Sequence, residues 1–302
     1  MTRAATATER QKASTLFFRR TILRWFGRHG RDLPWRRTRD PWKVLVSEIM
    51  LQQTQVDRVI PKYEAFLAKW PTASAFASAR LGDALAAWSG LGYNRRCKHL
   101  HLAAKEIVAM HGGVTPVEVG ALLSLPGIGP YTSRAVASFS ANADVILWDT
   151  NVRRIALRYF FGGEFAHRAP SDERLHAVLE AAFPKGRSRD WHNALMDFGS
   201  AWCVGRLPLC AACPLRHSCA AASRFLEGRA PRRLLVKPQA RFEGSHRQAR
   251  GAILRALASA GKKGLSLDAL QAELRDHEAE TVVEVLATEG MVVRDGAVVH
   301  LP

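Results

Sequence analysis

Three sets of residues have the types and spacing to do chemistry. Glu48 lies in the run 44–60, where its helical neighbours Val44, Leu45 and Leu51 are apolar. A carboxyl beside apolar surface is desolvated, which raises its pKa and suits it to deliver a proton; the plainer reading is a solvated glutamate at the edge of the stripe. Asp149 follows the apolar Val145-Ile146-Leu147-Trp148 and precedes the helical stretch Val152 to Phe160. Donors at a helix start would keep it ionised, and would equally make it a helix N-cap. Cys203, Cys210, Cys213 and Cys219 lie within one short segment. Their spacing could place four thiolates on one ion or cluster, and on spacing alone zinc and [4Fe–4S] both remain open. Clustered cysteines in a chain with no secretory apolar stretch point to metal before disulfides. Cys97 stands alone and is read as a packed core residue without a role.

Between Glu48 and Asp149 lies Leu125-Pro126-Gly127-Ile128-Gly129-Pro130-Tyr131-Thr132. Gly127 and Gly129 suit a turn between two helical segments, where the backbone takes positive φ or passes close to a neighbour. Such a turn frees amides at the start of the following helix, Tyr131 to Ser140, to face an anion. The formal net charge is +17 over 302 residues. Cations near phosphates release condensed counterions, so this surplus points to nucleic acid, with an acidic membrane surface as runner-up. No apolar run reaches the roughly 18 residues needed to cross a bilayer.

The elements that must position these residues are helical nearly throughout. Apolar residues recur at helical spacing from Ala13 to Arg28 and across 44–60, with a break expected at Pro61. Further helical segments are expected over 61–69, 72–79, 81–87, 94–111, 117–123, 178–183 and 191–202. Strand signals are nearly absent before residue 290, so the body is predicted to be all-α. Residues 1–13 read as a loose basic arm, and residues 227–245, rich in Arg, Lys, Pro and Gly, as a basic linker. Beyond it, three helices (246–260, 266–275, 278–289) and a hairpin with Asp295-Gly296 at its turn predict a small winged-helix-like module over 246–302.

Taken together, Pro126-Gly127-Ile128-Gly129, Asp149 and the four-cysteine loop resemble the helix-hairpin-helix DNA glycosylases of the endonuclease III superfamily. Within that superfamily, Leu33-Pro34-Trp35-Arg36, the run Ser47 to Val56 and Gly90-Leu91-Gly92-Tyr93 are similar to the MutY adenine glycosylases. The resemblance covers roughly residues 14–222. It implies a glycosylase over 14–226 made of two helical subdomains, with a cluster loop at 203–219 that holds [4Fe–4S] rather than zinc. The implied partner is double-stranded DNA with a mismatched or damaged base pair, met by a monomer away from membranes. Such an enzyme flips the target base out of the duplex at a cost of a few kcal/mol and fills the gap with wedge residues. By resemblance the wedges are Gln53 and Tyr93, with Thr54 near the opposite strand. Glu48 then protonates the leaving adenine and Asp149 faces the oxocarbenium-like sugar, a division of labour between two carboxylates. Bifunctional relatives carry an attacking lysine at the hairpin position where this chain has Tyr131; a phenol forms no imine, so the implied product is an abasic site in an intact strand. Arg36 and Asn151 match residues that support the pocket.

Two departures qualify the match. MutY enzymes usually carry a strand-rich, MutT-related domain that inspects 8-oxoguanine, and the stretch after Cys219 is instead short and mostly helical. The thymine (or uracil)–guanine mismatch glycosylases also have tyrosine and aspartate at these positions, and Arg158-Tyr159-Phe160 with Gly162-Gly163, and Arg189-Asp190, lean toward them. Gln52-Gln53-Thr54-Gln55 leans back toward adenine. A non-catalytic iron–sulfur regulator of DNA is the remaining alternative, although it has no need of Glu48, Tyr131 and Asp149 together.

Overall fold

A computed structural model describes residues 7–229 and 241–302; residues 1–6 of the expected arm and 230–240 of the expected linker lie outside the described residues. In chain order the α-helices are α1 Ala7–His29, α2 Pro41–Leu51, α3 Val56–Lys69, α4 Ala73–Ala77, α5 Leu81–Trp88, α6 Arg95–His111, α7 Val119–Leu123 and α8 Pro130–Ala141. They continue with α9 Thr150–Phe161, α10 Asp172–Ala182, α11 Ser188–Ala201, α12 Ala222–Leu226, α13 His246–Ala260, α14 Leu267–Gln271 and α15 Ala279–Thr288. Three short strands, β1 Leu265–Ser266, β2 Val293–Asp295 and β3 Val298–His300, form the small C-terminal sheet. The first helix begins at Ala7, inside the stretch expected as a loose arm.

The chain forms two compact units that interleave in sequence. One comprises residues 1–32 and 137–238, the other 33–136 and 239–302. The C-terminal module is therefore part of the second unit, together with α2 to α7.

In the first unit α1, α9, α10 and α11 enclose an apolar core that includes Phe18, Ile22, Ile155, Leu175, Leu179, Trp191, Leu195 and Phe198. Helix α9 starts sharply because Asp149 accepts from the Val152 amide, and it stops at Gly162, whose φ of 76° a side chain would resist. In the second unit the core is aromatic. Phe76 is fully buried and lies 4.8 Å from Phe66, 5.2 Å from Trp70 and 5.8 Å from Trp42, ring centre to ring centre. Such pairs contribute about 0.5–1.5 kcal/mol each beyond their buried area. The Trp42 indole N–H donates to the Trp70 carbonyl at 3.3 Å, so its polar edge is satisfied in the dry interior.

The expected single helix over 44–60 is broken elsewhere than at Pro61. Asp40 caps α2 by accepting from the amides of Trp42 (2.9 Å) and Lys43 (3.4 Å), and Pro41 occupies the first helical position. The chain then turns at 52–55, where Gln53 takes φ of 55°, and Pro61 is accommodated inside α3. The cause of the turn is side-chain capture of the terminal carbonyls of α2, described below.

The C-terminal module has the order α13-β1-α14-α15-β2-β3 with sheet order β1-β3-β2, both pairings antiparallel. That is a winged-helix arrangement, as the sequence predicts. Asp295 pairs with Val298, so the turn is Gly296-Ala297, one residue later than expected, and Gly296 has φ of 57°. The module is seated on its unit by the Gly82 amide donating to the Pro302 carbonyl at 2.8 Å. A Cβ on Gly82 would come within 2.5 Å of that oxygen.

Removing the ring at the centre of the aromatic core leaves a cavity that its stiff neighbours cannot fill. Phe76→Ala is expected to destabilise the protein by about 3–5 kcal/mol, read as a lowered midpoint in chemical or thermal denaturation; a shift under 1 kcal/mol would show that the cluster does not carry the second unit.

Candidate active site and cysteine loop

Eight of the candidate residues, Arg36, Glu48, Gln53, Thr54, Tyr93, Gly127, Gly129 and Tyr131, belong to the second unit. Glu48 lies on α2 and is 7% exposed, so the solvated reading of this residue does not hold. One turn further along the helix, Gln52 donates through Nε2 to the Thr132 hydroxyl at 3.3 Å. This bond fastens the end of the Glu48 helix to the start of α8, beside Tyr131.

The hairpin between α7 and α8 is built as the glycines suggest. Gly127 has φ of 75°, and a Cβ there would lie 2.5 Å from the His99 side chain. Close approach and left-handed backbone thus both require glycine. The Ile128 amide donates to Leu125 O (3.1 Å) and the Ser133 amide to Gly129 O (3.0 Å), which closes the turn and opens α8.

Gln53 and Tyr93, the two expected wedges, both hold left-handed backbone, with φ of 55° and 48°. For non-glycine residues this costs on the order of 1–2 kcal/mol each and persists only where neighbours impose it. Arg96 is the neighbour that imposes it. Its Nη1 donates to the carbonyls of Ile49 (2.7 Å), Met50 (3.1 Å) and Gln52, while Nη2 donates to Leu91 O (3.1 Å), Gly92 O (3.0 Å) and the Thr54 hydroxyl (3.1 Å). A helix ends with carbonyls that have no intrahelical donor, and one planar guanidinium collects those of α2 and ties them to the 91–93 loop. Thr54, expected near the opposite strand, is half-buried, with its hydroxyl 3.3 Å from both Gln52 O and Leu91 O. Arg36 closes a short helical turn, Pro34–Arg36, beneath which Trp35 packs edge-on against Tyr63 at 5.5 Å.

Asp149 and Asn151 lie in the first unit with the four cysteines. Asp149 Oδ1 accepts from the Val152 amide at 2.6 Å and Oδ2 from Asn151 Nδ2 at 3.1 Å. The segment that delivers Asp149 is pinned by His192, which is fully buried. Its Nδ1 faces the Ser188 carbonyl at 2.9 Å and its Nε2 the Leu147 amide at 3.1 Å. A ring that must donate at Nδ1 and accept at Nε2 is neutral, and burial pushes its pKa down to about 4.

From Asp149 the polar contacts run on to the cysteine loop. Asn151 Oδ1 accepts from Arg154 Nη2 at 2.6 Å, Arg154 Nη2 also donates to Gly199 O at 3.1 Å, and Arg154 Nε donates to Cys203 O at 2.6 Å. A Cβ on Gly199 would come within 2.9 Å of Asn151, so glycine is needed there. Arg158, one turn further on, is 2% exposed and pairs with the equally buried Glu164 through Nε at 3.0 and 3.1 Å and through Nη2. Its other donors reach Val204 O and Gly205 O, both at 2.7 Å, and the Cys203 sulfur at 3.5 Å. Arg158 was legible as a subfamily marker; its place is under the cysteine loop, where it holds backbone and sulfur. Arg96, Arg154 and His192 carried no signal in the sequence, because each acts on backbone groups that only the fold brings to it.

All four loop cysteines line one cavity, with Arg158, Trp202 and Leu215 among its walls. Burial pushes the thiols of Cys213 and Cys219 up to about 11 and 12, and that of Cys210 upward. Buried thiols of this kind become thiolates only when a metal supplies the compensating charge. Among the described residues no three His, Cys, Asp or Glu side chains converge as they would on a single ion. Cys97 is fully buried, and burial raises its thiol, in keeping with a packed core residue.

Residues 46–181 match the family described as HhH-GPD superfamily base excision DNA repair protein. The adenine DNA glycosylase of Mycolicibacterium smegmatis is 43% identical over 235 residues, 77% of this chain and 78% of that protein. That of Mycobacterium tuberculosis is 41% identical over 241 residues, 79% and 78% of the two chains. Among solved structures, a thermostable thymine-DNA glycosylase superimposes with a TM-score of 0.66 at 30% identity, covering 72% of this chain and all of that one. The helix-hairpin-helix body thus places the chain in the base-excision superfamily. Within it, the chain belongs to the adenine DNA glycosylase family.

The buried neutral His192 makes stability pH-dependent. Its folded pKa of about 4 lies below the unfolded value of about 6.5, so the unfolded chain binds the extra proton between these values and stability is lost as pH falls from about 6.5 to 4. The loss is expected to approach roughly 3 kcal/mol. Denaturation of wild type and His192→Gln at pH 7 and pH 4.5 checks it: the variant should lose markedly less on acidification, and equal losses would remove His192 as the acid-sensitive group.

Proposed function

We propose that this protein is a monofunctional DNA glycosylase that excises adenine from a mispair with 8-oxoguanine or guanine and leaves an abasic site. The observation that carries the reading is the burial of Glu48 on α2, in a chain 41–43% identical to adenine DNA glycosylases. A buried carboxyl is shielded from water while it delivers its proton.

In the proposed reaction the target base leaves the stack, with Gln53 and Tyr93 filling the space it vacates. Glu48 gives its proton to N7 of adenine, the bond from C1′ to N9 breaks, and both bonding electrons leave with the base. Positive charge on the sugar is met by the carboxylate of Asp149, whose position is fixed by the Val152 amide and Asn151. Water then adds its oxygen to C1′ and its proton returns to a carboxylate. Tyr131, on the first turn of α8, supplies a phenol where an amine would attack the sugar, so the strand is left uncut. Arg36 and Asn151 support the pocket, and the amides after Gly127 and Gly129 face DNA phosphates.

Cys203, Cys210, Cys213 and Cys219 would hold a [4Fe–4S] cluster. The reading is supported by all four thiols lining one cavity beside Arg158. When bound, the cluster would cross-link the loop through iron–thiolate bonds, and no step of the proposed excision passes through it.

The 30% identity to a thymine-DNA glycosylase favours one second reading, excision of thymine or uracil opposite guanine. End-labelled duplexes with A opposite 8-oxoguanine, A opposite G, T opposite G and U opposite G, incubated with protein and then hot alkali, separate the two. Cleavage of the adenine duplexes only, and only after alkali, is the expected outcome; cleavage confined to the T·G and U·G duplexes establishes the second reading. Glu48→Gln is expected to lower single-turnover excision by at least about a hundredfold while duplex affinity stays within a few-fold, and a variant keeping most of its rate would remove Glu48 as the acid. Borohydride should trap no covalent protein–DNA adduct; efficient trapping would reveal an amine nucleophile.

A further inference from the structure

The second unit carries a groove of about 1060 Å³ beside the wedge residues, most of whose lining has no part in the reaction above. One wall is the wedge region, with Gln53 and Tyr93, and the other is α13 of the C-terminal module. Among the described residues, seven lysine and arginine side chains line it against one carboxylate, that of Glu289. That carboxylate is already neutralised, because Arg250 Nη1 donates to its Oε1 at 3.1 Å and Nη2 to its Oε2. A concave surface of this charge focuses positive potential and selects a polyanion.

The two walls are joined at the wedge itself. Arg247, on the first turn of α13, donates through Nη1 to the Tyr93 hydroxyl at 2.7 Å, and its guanidinium carbon lies 5.7 Å from the centre of the Tyr93 ring. Tyr93 is thus held from below by Arg96, which fixes its backbone, and from the side by Arg247. Phe242, 56% exposed, adds an aromatic face at the rim.

The module's other helix is unsuited to nucleic acid. In a helix-turn-helix arrangement the later helix normally enters the major groove, and here that helix is α15. Its solvent-facing side chains include Glu280, Thr281, Glu284 and Val285, with no lysine or arginine in its sequence. Glu280 on that face is paired with Arg294 of β2, so α15 itself offers phosphates no cation, whereas α13 carries Arg247, Arg250 and Arg255.

We infer that the C-terminal module is a DNA-binding element that works through α13 rather than α15, with the groove between α13 and the Tyr93 loop taking the sugar-phosphate backbone that runs past the wedge. This rests on the glycosylase reading above and adds a second contact surface to it. Arg58, Arg95, Arg247 and Arg255 are the phosphate partners, and Arg247 couples the module to the wedge.

The test uses the full-length chain and a fluorescent duplex with one A·G mispair, with affinity measured by anisotropy between 50 and 200 mM KCl. Each lost phosphate contact lowers the slope of log K against log salt by about 0.9. Arg255→Ala, an exposed position that cannot unfold the module, should lower the slope by about 0.9, and Arg247→Ala/Arg255→Ala by about 1.8 with an affinity loss of about tenfold or more. Arg275→Ala, exposed on the same module and outside the groove, should change neither. At saturating enzyme Arg275→Ala should excise adenine at the wild-type rate. Unchanged slope and affinity in both groove variants would overturn the inference and leave the groove to another acidic partner, while wild-type excision of adenine keeps the glycosylase reading. A wild-type chain that cuts none of the duplexes would remove both.

Discussion

The carbonyls at the end of a helix must find donors, and in this protein one guanidinium finds them for α2. Arg96 gathers Ile49, Met50 and Gln52 on one side and Leu91, Gly92 and Thr54 on the other. Two loops distant in sequence become one platform, and on that platform the chain can hold Gln53 and Tyr93 in backbone conformations that side chains ordinarily avoid. Burial lowers the Arg96 pKa to about 10, which still leaves it charged near neutrality. Lysine has a single point charge with three donors and could not reach all six acceptors. Everything proposed for the wedge, and for the groove beside it, depends on this arrangement.

The first unit solves a similar problem by relay. Asp149 is fixed by a helix amide and by Asn151, Asn151 by Arg154, and Arg154 by the carbonyl of Cys203. Arg158 and Glu164 form a buried ion pair, which stabilises little by itself because both charges are desolvated. Its value lies in the remaining donors, which hold Val204, Gly205 and the Cys203 sulfur in place. Loop order and the position of the carboxylate are therefore parts of one hydrogen-bonded structure.

Much of this was legible in the sequence, for identifiable reasons. The helix-hairpin-helix turn announced itself because Gly127 answers a backbone requirement that no other residue meets. The winged-helix order followed from three periodic segments and a glycine-bearing hairpin turn, all local signals, although the turn falls at Gly296-Ala297 rather than Asp295-Gly296. The break after α2 was misplaced to Pro61, because proline is visible in a sequence and the capture of carbonyls by an arginine forty residues away is not. Glu48 read two ways until its neighbours were in place, since apolar residues at helical spacing do not say which face is covered. His192, Arg154 and Arg247 each reach a group 45 to 154 residues away, and nothing local marks those contacts.

The interleaving of the two units bears on how the chain is made. Helix α1 ends at His29, yet the helices that bury its Phe18 and Ile22 are α9 to α11, the last of which ends at Ala201. At translation speeds of about 5–20 residues per second, that apolar stripe waits on the order of ten seconds or more for its partners. During this interval the second unit's aromatic body can already close. The newborn chain thus exposes the apolar face of α1 well before α9 to α11 exist to cover it, which makes α1 a place for a chaperone to grip and for premature association to start.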